Sequence, residues 1–184
     1  MAIAIGKSLG IPVYDNELLS KAAEESGFSK DLFVKSDERR SALSLSSLFS
    51  SDRFIHATGG GINDTELFSI QSQAIRKIAE NGSAIFIGRA SDYVLRDMDC
   101  LDVFVCAPME SRITRICERM GVNPETAESM IIKRDKGREA YYNFFTFGNW
   151  GVASNYDLCI DSSILGIEGT AAFIIDFARR KGIL

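Results

Sequence analysis

The chain has 184 residues, which is long enough for one α/β domain with a small inserted subdomain. Of these residues 46% are hydrophobic and 25% are charged, as in an average globular protein. Its formal net charge of −4 argues against a protein that binds nucleic acid polymers, since such proteins are usually basic. No apolar run reaches about 18 residues, and the start lacks the core of a signal peptide, which predicts a cytoplasmic protein without a membrane partner. The four cysteines have no CxxC spacing, and we expect free thiols, most of them buried.

The first elements in chain order are two helices separated by a short apolar segment. Residues 3–9 have the pattern of a helix end, and Ile11–Tyr14 is a short apolar piece. Asp15 or Asn16 can cap a second helix that runs towards Gly27.

Residues 36–64 differ from the rest because serine and glycine replace the periodic apolar pattern. This composition predicts a mobile insert of the kind that covers a substrate. The glycine triplet Gly59–Gly61 lacks the preceding strand and the following Lys-Ser/Thr of a phosphate-binding loop, and we interpret it as a flexible connection. His56, the only histidine, lies in the same segment and is interpreted as non-catalytic.

The remainder alternates apolar runs with helical patterns. Buried parallel strands are predicted at 84–88, 101–106 and 157–161. A helix capped by Asp64 or Thr65 is predicted to reach Glu80. Further helices are predicted at 90–96, at 109–120, from 124 to about 140, and at 167–181. This alternation is typical of an α/β fold in which helices cover both faces of a parallel sheet.

Gly88 and Arg89 form the first candidate site because they directly follow a predicted strand. In open α/β sheets ligands gather beyond the carboxyl ends of the strands, and an arginine there offers a planar fork to phosphate oxygens. The alternative is a strand-ending turn with a surface arginine.

Three arginines form a second candidate site on the helix at 109–120. Arg112, Arg115 and Arg119 share one stripe, whereas Ile113 and Ile116, with Met120, mark the stripe predicted to be buried. A solvated helix face is the alternative explanation for such a run.

The third candidate lies in KRDKGREAYY, where Arg134 and Arg138 share a helix face and Asp135 and Glu139 are available to orient them. The aromatic stretch YYNFFTFGNW follows. Together, residues 134–152 fit a lid that closes over a flat base, although a packed hairpin or helix end remains open.

Phosphoryl transfer would give these arginines a common purpose. The migrating group carries charge on three oxygens, and catalysis consists mostly of positioning and charge stabilisation. Converging arginines with Mg²⁺ meet that requirement without a nucleophilic side chain.

Six stretches in order resemble the cytidylate kinase-like family. They are LGIPVYDNELL, FSIQSQAIRKIAENG, AIFIGRASDYVLRD, VFVCAPMESRITRI, IKRDKGREAYYNFF and NYDLCIDSSILGIEG. The resemblance implies a three-layer P-loop kinase fold over residues 1–184, with a five-stranded parallel sheet, an inserted monophosphate-binding segment and a lid. It also implies phosphoryl transfer from ATP, with Mg²⁺, to a nucleoside monophosphate, CMP or dCMP being favoured.

The resemblance also assigns roles. Arg89, with Gly88, would hold the acceptor monophosphate, and Asp15 would lie near its pocket. Arg134 and Arg138 would reach the transferred phosphoryl group. Arg112 and Arg115 would lie at the ATP side of the lid hinge, and Arg115 would also act in catalysis. The resemblance assigns no residue to a metal.

Members of such families open with an apolar strand and a glycine-rich phosphate loop, whereas this sequence starts inside the helix that follows. We therefore expect that the natural polypeptide has such a strand and loop upstream of Ala2, between the strands at 84–88 and 101–106. Two alternatives stay open: a nucleotide-binding regulator without catalysis, and a kinase of another small acceptor. The sequence does not indicate an oligomeric state.

Overall fold

The structure is a computed structural model, which describes residues 1–25 and 64–184. The predicted insert at 36–64, including His56 and Gly59–Gly61, lies outside the described residues except for Asp64, which begins a helix. The chain divides into two compact units, one formed by Met1–Ser8 with Met98–Leu184 and the other by Leu9–Asp97.

The unit Leu9–Asp97 contains a two-stranded parallel sheet and three described helices. Their bounds are β1 Val13–Tyr14, α2 Asn16–Glu25, α3 Asp64–Glu80, β2 Ile85–Phe86 and α4 Ser91–Val94, and helix α1 Ala2–Leu9 ends at its boundary. Val13 pairs with Ile85 and Tyr14 with Phe86. Helix α3 packs against both α2 and α4. The core between them consists of Leu19, Ile70, Ala74, Ile75, Val94 and Leu95.

The other unit contains a second two-stranded parallel sheet and the three longest helices of its part of the chain. Their bounds are β3 Val103–Cys106, α5 Met109–Met120, α6 Pro124–Thr146, β4 Leu158–Asp161 and α7 Ser162–Lys181, with a short 3₁₀ turn at Ala153–Asn155. Val103 pairs with Leu158 and Cys106 with Asp161. Helices α5 and α6 pack against each other, and α7 contacts β4.

Local signals explain where these helices begin and end. Gly121 ends α5 in the left-handed conformation that glycine adopts without strain. Two residues later the side chain of Asn123 accepts a hydrogen bond from the Thr126 N–H at 2.9 Å, with Pro124 in the first turn of α6. The turn between α5 and α6 is therefore encoded in four consecutive residues, 121–124.

The α/β class and the parallel direction of the predicted strands are confirmed. The prediction that these strands are buried is wrong: Ile87 is 44% and Val105 43% exposed. In the described ranges β2 pairs with β1 alone and β3 with β4 alone, so each strand has one hydrogen-bonded neighbour. The single five-stranded sheet stays a prediction.

Several helix predictions needed correction. Helix α4 covers only Ser91–Val94 of the predicted 90–96, and α7 begins at Ser162 rather than at 167. Helix α6 continues to Thr146 rather than ending near residue 140, so the aromatic run begins as helix. The stripe of α5 predicted to be buried is only partly covered: Ile113 and Ile116 are half-buried, and Met120 is 45% exposed. Among the described helices α5 packs mainly against α6, and packing mainly against one helix leaves the edges of an apolar stripe in contact with solvent.

The cysteines are free, as predicted, but none is buried. Cys106 and Cys159 are exposed, whereas Cys100 and Cys117 are half-buried. Partial burial raises the pKa of the Cys100 thiol, with a contribution of the same sign from the nearby Asp102 carboxylate.

Among the helices described, none combines the length and the apolar character needed to cross a membrane.

Candidate active site

An aspartate on α6 joins arginines from two helices. Oδ2 of Asp135 accepts a hydrogen bond from Nη2 of Arg112 on α5 at 2.6 Å, and its Oδ1 accepts from Nη1 of Arg138 at 2.9 Å. The Asp135 side chain is 24% exposed and that of Arg112 is 31% exposed. Each carboxylate oxygen thus holds one guanidinium, and the two arginines are kept on either side of one charge.

This Arg112–Asp135–Arg138 cluster retains a net positive charge, because one carboxylate faces two guanidiniums. A partly buried pair of this kind is screened less by water and salt than a pair on the open surface. Two oriented guanidiniums with an excess of positive charge are suited to a phosphate group, which can accept several of their N–H donors.

The other predicted arginines lie on the same two helices without joining the cluster. Arg115 on α5 is half-buried, and Arg119 and Arg134 are exposed. Arg115 and Arg134 form no ion pair with any residue of the two described ranges. Arg134 is four residues before Arg138 on α6, so the two share a helix face, as the sequence indicated.

The carboxyl ends of β3 and β4 are tied together near this unit's helices. Oγ of Ser162 donates to the carbonyl of Cys106 at 3.1 Å, and Oδ1 of Asp161 accepts from the Ser163 N–H at 2.8 Å. Hydrogen bonds from the Ser163 side chain and then its backbone N–H hold the pKa of Asp161 below its ordinary value. Asp161 thereby caps α7 at the sheet edge where ligands of α/β proteins gather.

The segment after α6 folds back onto β3. The backbone N–H of Trp150 donates to Oδ1 of Asn143 at 2.8 Å. The Trp150 ring contacts Phe104 edge-on, with 5.4 Å between the ring centroids. Two rings at the end of α6 are not part of this contact: Phe144 is 59% and Phe147 92% exposed. The aromatic stretch therefore combines a packed helix end with exposed rings.

In the unit Leu9–Asp97, the residues after β2 adopt an uncommon backbone conformation. Gly88, Arg89 and Ala90 have φ values of 71°, 60° and 53°, three left-handed residues in succession. The left-handed conformation costs a residue other than glycine about 1–2 kcal/mol, so the strain falls on Arg89 and Ala90. Such strain persists where the surroundings fix it and is concentrated at functional sites. Ala90, which is 4% exposed and begins α4, supplies part of that anchoring.

The side chain of Arg89 is held by a residue of α3. Its Nε donates to Oε1 of Gln71 at 3.3 Å, and Gln71 is 0% exposed. Gln71 lies on the face of α3 that also carries the buried Ile70 and Ala74. Burying a polar group without a partner costs about 1–3 kcal/mol, so the bond from Arg89 offsets the cost of burying the Gln71 carbonyl oxygen.

Asp15 caps α2. Its Oδ1 accepts hydrogen bonds from the N–H groups of Glu17 and Leu18, both at 3.0 Å. The expected place of Asp15 near an acceptor pocket stays a prediction.

In residues 1–25 and 64–184 there is no group of three or more histidine, cysteine, aspartate or glutamate side chains that could hold a metal ion. The candidate binding groups of both units are instead arginines.

A comparison with protein families shows to which family this chain belongs. The sequence profile of the cytidylate kinase-like family matches residues 1–164, which is most of the chain. The chain belongs to this family. The resemblance inferred from the six sequence stretches is thereby confirmed.

Among curated proteins this family member is similar to the cytidylate kinase of Aeropyrum pernix, with 26% identity over 58% of this chain and 62% of that protein. The cytidylate kinase of Pyrococcus horikoshii is 29% identical over 52% of this chain and 50% of its own length. The chain thus spans half to about three fifths of the curated relatives it matches.

Among solved structures, the cytidylate kinase-like chain resembles the crystal structure of an uncharacterized protein from Eubacterium ventriosum. The TM-score is 0.70 and the identity 27%, with 97% of this chain and 89% of the other covered. The likeness therefore extends over nearly the whole chain.

Sequence reasoning did not assign a role to Gln71. The signal was present, since Gln71 falls in the stripe of α3 that otherwise carries Ile75 and Ala74. A polar amide in an apolar stripe indicates a buried hydrogen bond, but its partner, 18 residues away, could not be identified from spacing.

Proposed function

We propose that this cytidylate kinase-like protein transfers the γ-phosphoryl group of ATP to a nucleoside monophosphate, with CMP or dCMP the favoured acceptors. The bond from the γ-phosphorus to the β–γ bridging oxygen breaks, and a bond to an acceptor phosphate oxygen forms. The products are ADP and the nucleoside diphosphate. Family membership supports the reaction class, and the names of the archaeal relatives support the choice of cytidine nucleotides.

The Arg112–Asp135–Arg138 cluster is the observation that carries the proposal. In a phosphoryl transfer the protein contributes positioning and positive charge rather than a nucleophile. Arg138, with Arg134 on the same face, is proposed to meet the transferred group, and Arg112 with Arg115 to meet the ATP phosphates. Asp135 keeps Arg112 and Arg138 at fixed positions before the phosphates arrive.

The acceptor monophosphate is proposed to bind Arg89, beside Gly88 and in the neighbourhood of Asp15. A guanidinium can bind a phosphate through two parallel hydrogen bonds, which fixes both distance and direction. The position of Arg89 after a strand and the strained backbone that holds it support this role.

Residues 134–152 are proposed to act as a lid, and residues 36–64 as the insert that chooses the acceptor. Exposed Phe144 and Phe147 at the end of α6 support the lid, because aromatic rings can close over a flat base and exclude water. Mg²⁺ is proposed to arrive with ATP, since this ion is usually held by substrate phosphates together with few protein groups.

We further propose that the protein works in the cytoplasm on small nucleotides. The free state of all four cysteines supports a reducing compartment.

The test is a steady-state assay of ADP formation with the full-length protein, ATP and Mg²⁺, in the presence of CMP, dCMP, UMP or AMP. We expect turnover with CMP or dCMP, with kcat/KM at least tenfold above that for AMP. Arg138→Ala should reduce kcat by about 10²-fold or more, because a charge aimed at the transition state is lost. Arg180→Ala, an exposed arginine at the end of α7, is the matched control and should retain activity.

Two results would contradict the proposal in different ways. Nucleotide binding without turnover would favour a regulatory protein. Turnover with a sugar or a hydroxy acid, but with no nucleoside monophosphate, would favour a kinase of another small acceptor.

A further inference from the structure

A hydrogen bond joins the turn after β2 to the buried face of α3. Nε of Arg89 donates to Oε1 of Gln71 at 3.3 Å, and the two residues are 18 positions apart in sequence. Gln71 is fully buried, so its amide sits in a fixed position within the core of the unit Leu9–Asp97. The bond therefore links a half-buried arginine to the buried core of its own unit.

The backbone at Arg89 is independently constrained. Arg89 and Ala90 both have left-handed φ values, and the Ser91 N–H donates to the Gly88 carbonyl at 3.3 Å across this turn. The Val94 N–H then donates to the Ala90 carbonyl at 3.0 Å, so α4 continues directly from the turn. Backbone and side chain of Arg89 are thus fixed by separate contacts.

The choice of Nε has a chemical consequence. A guanidinium has one N–H on Nε and four on the two Nη groups. When Nε donates to the core, the plane of the guanidinium is set, and bidentate binding of a phosphate falls to the two Nη groups. A fixed plane lowers the entropy lost when a ligand binds, which strengthens binding without a new contact.

We infer that Gln71 is a positioning residue, which orients the Arg89 guanidinium for the phosphate of the acceptor. This inference rests on the proposed function, in which Arg89 binds the acceptor monophosphate. Gln71 touches no substrate atom in this role and acts only through Arg89.

The test uses the full-length protein and isothermal titration with CMP, and with cytidine as the probe that lacks a phosphate. Gln71→Met keeps the length of the side chain and removes the acceptor oxygen. We expect its Kd for CMP to rise about tenfold, which corresponds to about 1.4 kcal/mol, with no change for cytidine. In kinetics, KM for CMP should rise while KM for ATP stays the same.

Gln73→Met is the matched control. Gln73 lies on the same helix but is exposed, and its Nε2 donates to Oγ of Ser69 at 3.3 Å. CMP binding should be unchanged in this variant. An equal loss in both variants would overturn the inference, because the effect would then belong to α3 in general.

A double-mutant cycle separates positioning from a structural role. Arg89→Lys keeps the charge but removes Nε–H and the planar fork, so Gln71→Met should cause no further loss of CMP affinity in that background. If the two losses add, or if Gln71→Met lowers Tm while CMP affinity is intact, Gln71 does not act through Arg89.

A spectroscopic measurement keeps this inference separate from the proposed function. The ¹⁵Nε–Hε cross-peak of Arg89, assigned by its loss in Arg89→Lys, should shift and exchange faster with solvent in Gln71→Met. Absence of CMP binding by the unaltered protein would overturn the proposed function. The Arg89 cross-peak would still show whether Gln71 orients the Arg89 guanidinium. An unchanged cross-peak would overturn the Gln71 inference.

Discussion

Asp135 differs in its surroundings from an ordinary surface carboxylate. Exposed ion pairs contribute about 0–1 kcal/mol each, since water screens them and long side chains lose freedom. Asp135 instead bonds two arginines at once and is mostly covered, with partners on α5 and α6. Loss of its charge would leave two guanidiniums facing each other between the helices.

We predict that Asp135→Asn lowers the free energy of unfolding by about 1.5–3 kcal/mol, the usual contribution of hydrogen bonds to charged groups. Under the proposed function it also lowers kcat, because Arg112 and Arg138 lose their orientation. Urea unfolding measures the first effect and the steady-state assay the second. The control is Asp176→Asn, which removes an exposed i,i+4 partner of Arg180 and should change stability by less than about 0.5 kcal/mol.

Equal stability of the Asp135→Asn variant and the unaltered protein would contradict the structural part of this prediction. Full activity in a folded Asp135→Asn variant would show that the orientation of Arg112 and Arg138 is unimportant for turnover.

The long helices contain glycines in two different environments. Gly137 lies inside α6 with open space where a Cβ would be, and its φ is not positive. Gly166 lies at a kink in α7 with φ 66° and ψ −175°, a region almost restricted to glycine. The same substitution should therefore have opposite effects at the two positions.

We predict that Gly137→Ala raises the free energy of unfolding by about 0.5–1 kcal/mol, since alanine reduces the freedom of the unfolded chain and favours helix. Gly166→Ala should lower it by about 1–3 kcal/mol, the usual strain of a disfavoured backbone conformation. Denaturant unfolding of both variants measures the pair, and each serves as the control of the other. Two changes of the same sign would contradict the kink at Gly166.

The length of α6 places its arginines and its aromatic rings on one helix. It extends through 23 residues, so the arginines near its middle and the aromatic rings near its end belong to one rigid element. In the proposed lid, a movement of α6 would therefore carry Arg138 and Phe144 together.

In the unit formed by Met1–Ser8 and Met98–Leu184, hydrogen bonds join the end of α7 to the residues just before β3 and β4. Nζ of Lys181 donates to Oδ2 of Asp157 at 2.5 Å and to the carbonyl of Cys100 at 2.7 Å. Oδ2 of Asp157 also accepts from the Asp102 N–H at 2.9 Å. The hydrogen bond from Lys181 holds the pKa of Asp157 below its ordinary value, and the weaker effect of the Asp102 N–H has the same sign.

The lowered pKa predicts a loss of stability in acid. Because the folded protein binds the proton of Asp157 less readily than the unfolded chain, the contribution is complete above the unfolded pKa of about 3.9. It disappears as the pH falls through the lower pKa of the folded state. Asp157→Asn should therefore lower stability at pH 7 by up to about 1 kcal/mol and have a smaller effect near pH 2.

Thermal unfolding between pH 2 and pH 7 measures this dependence. Lys181→Met should flatten the acid dependence in the same way, because it removes the hydrogen bond that Asp157 accepts from Lys181. A constant difference between Asp157→Asn and the unaltered protein at every pH would contradict the assignment.

The predicted helix bounds agree best where the signals are local. The bounds 109–120 match α5 residue for residue, and the predicted end at Glu80 matches the end of α3. The start of α6 follows from Asn123 and Pro124. Caps, glycines and periodicity act within a turn or two of the chain, so a sequence contains all that is needed to place them.

Contacts between distant positions required the tertiary structure. Arg112 and Asp135 are 23 residues apart, and Arg89 and Gln71 are 18 apart. The residue types and the faces of their helices could be predicted, and Asp135 was identified as a partner for its neighbours on α6. Its bond to α5, like the exposure of Val105 in β3, depends on how separate elements pack, because helix crossings and strand neighbours are set by complementary surfaces rather than by periodicity within one element.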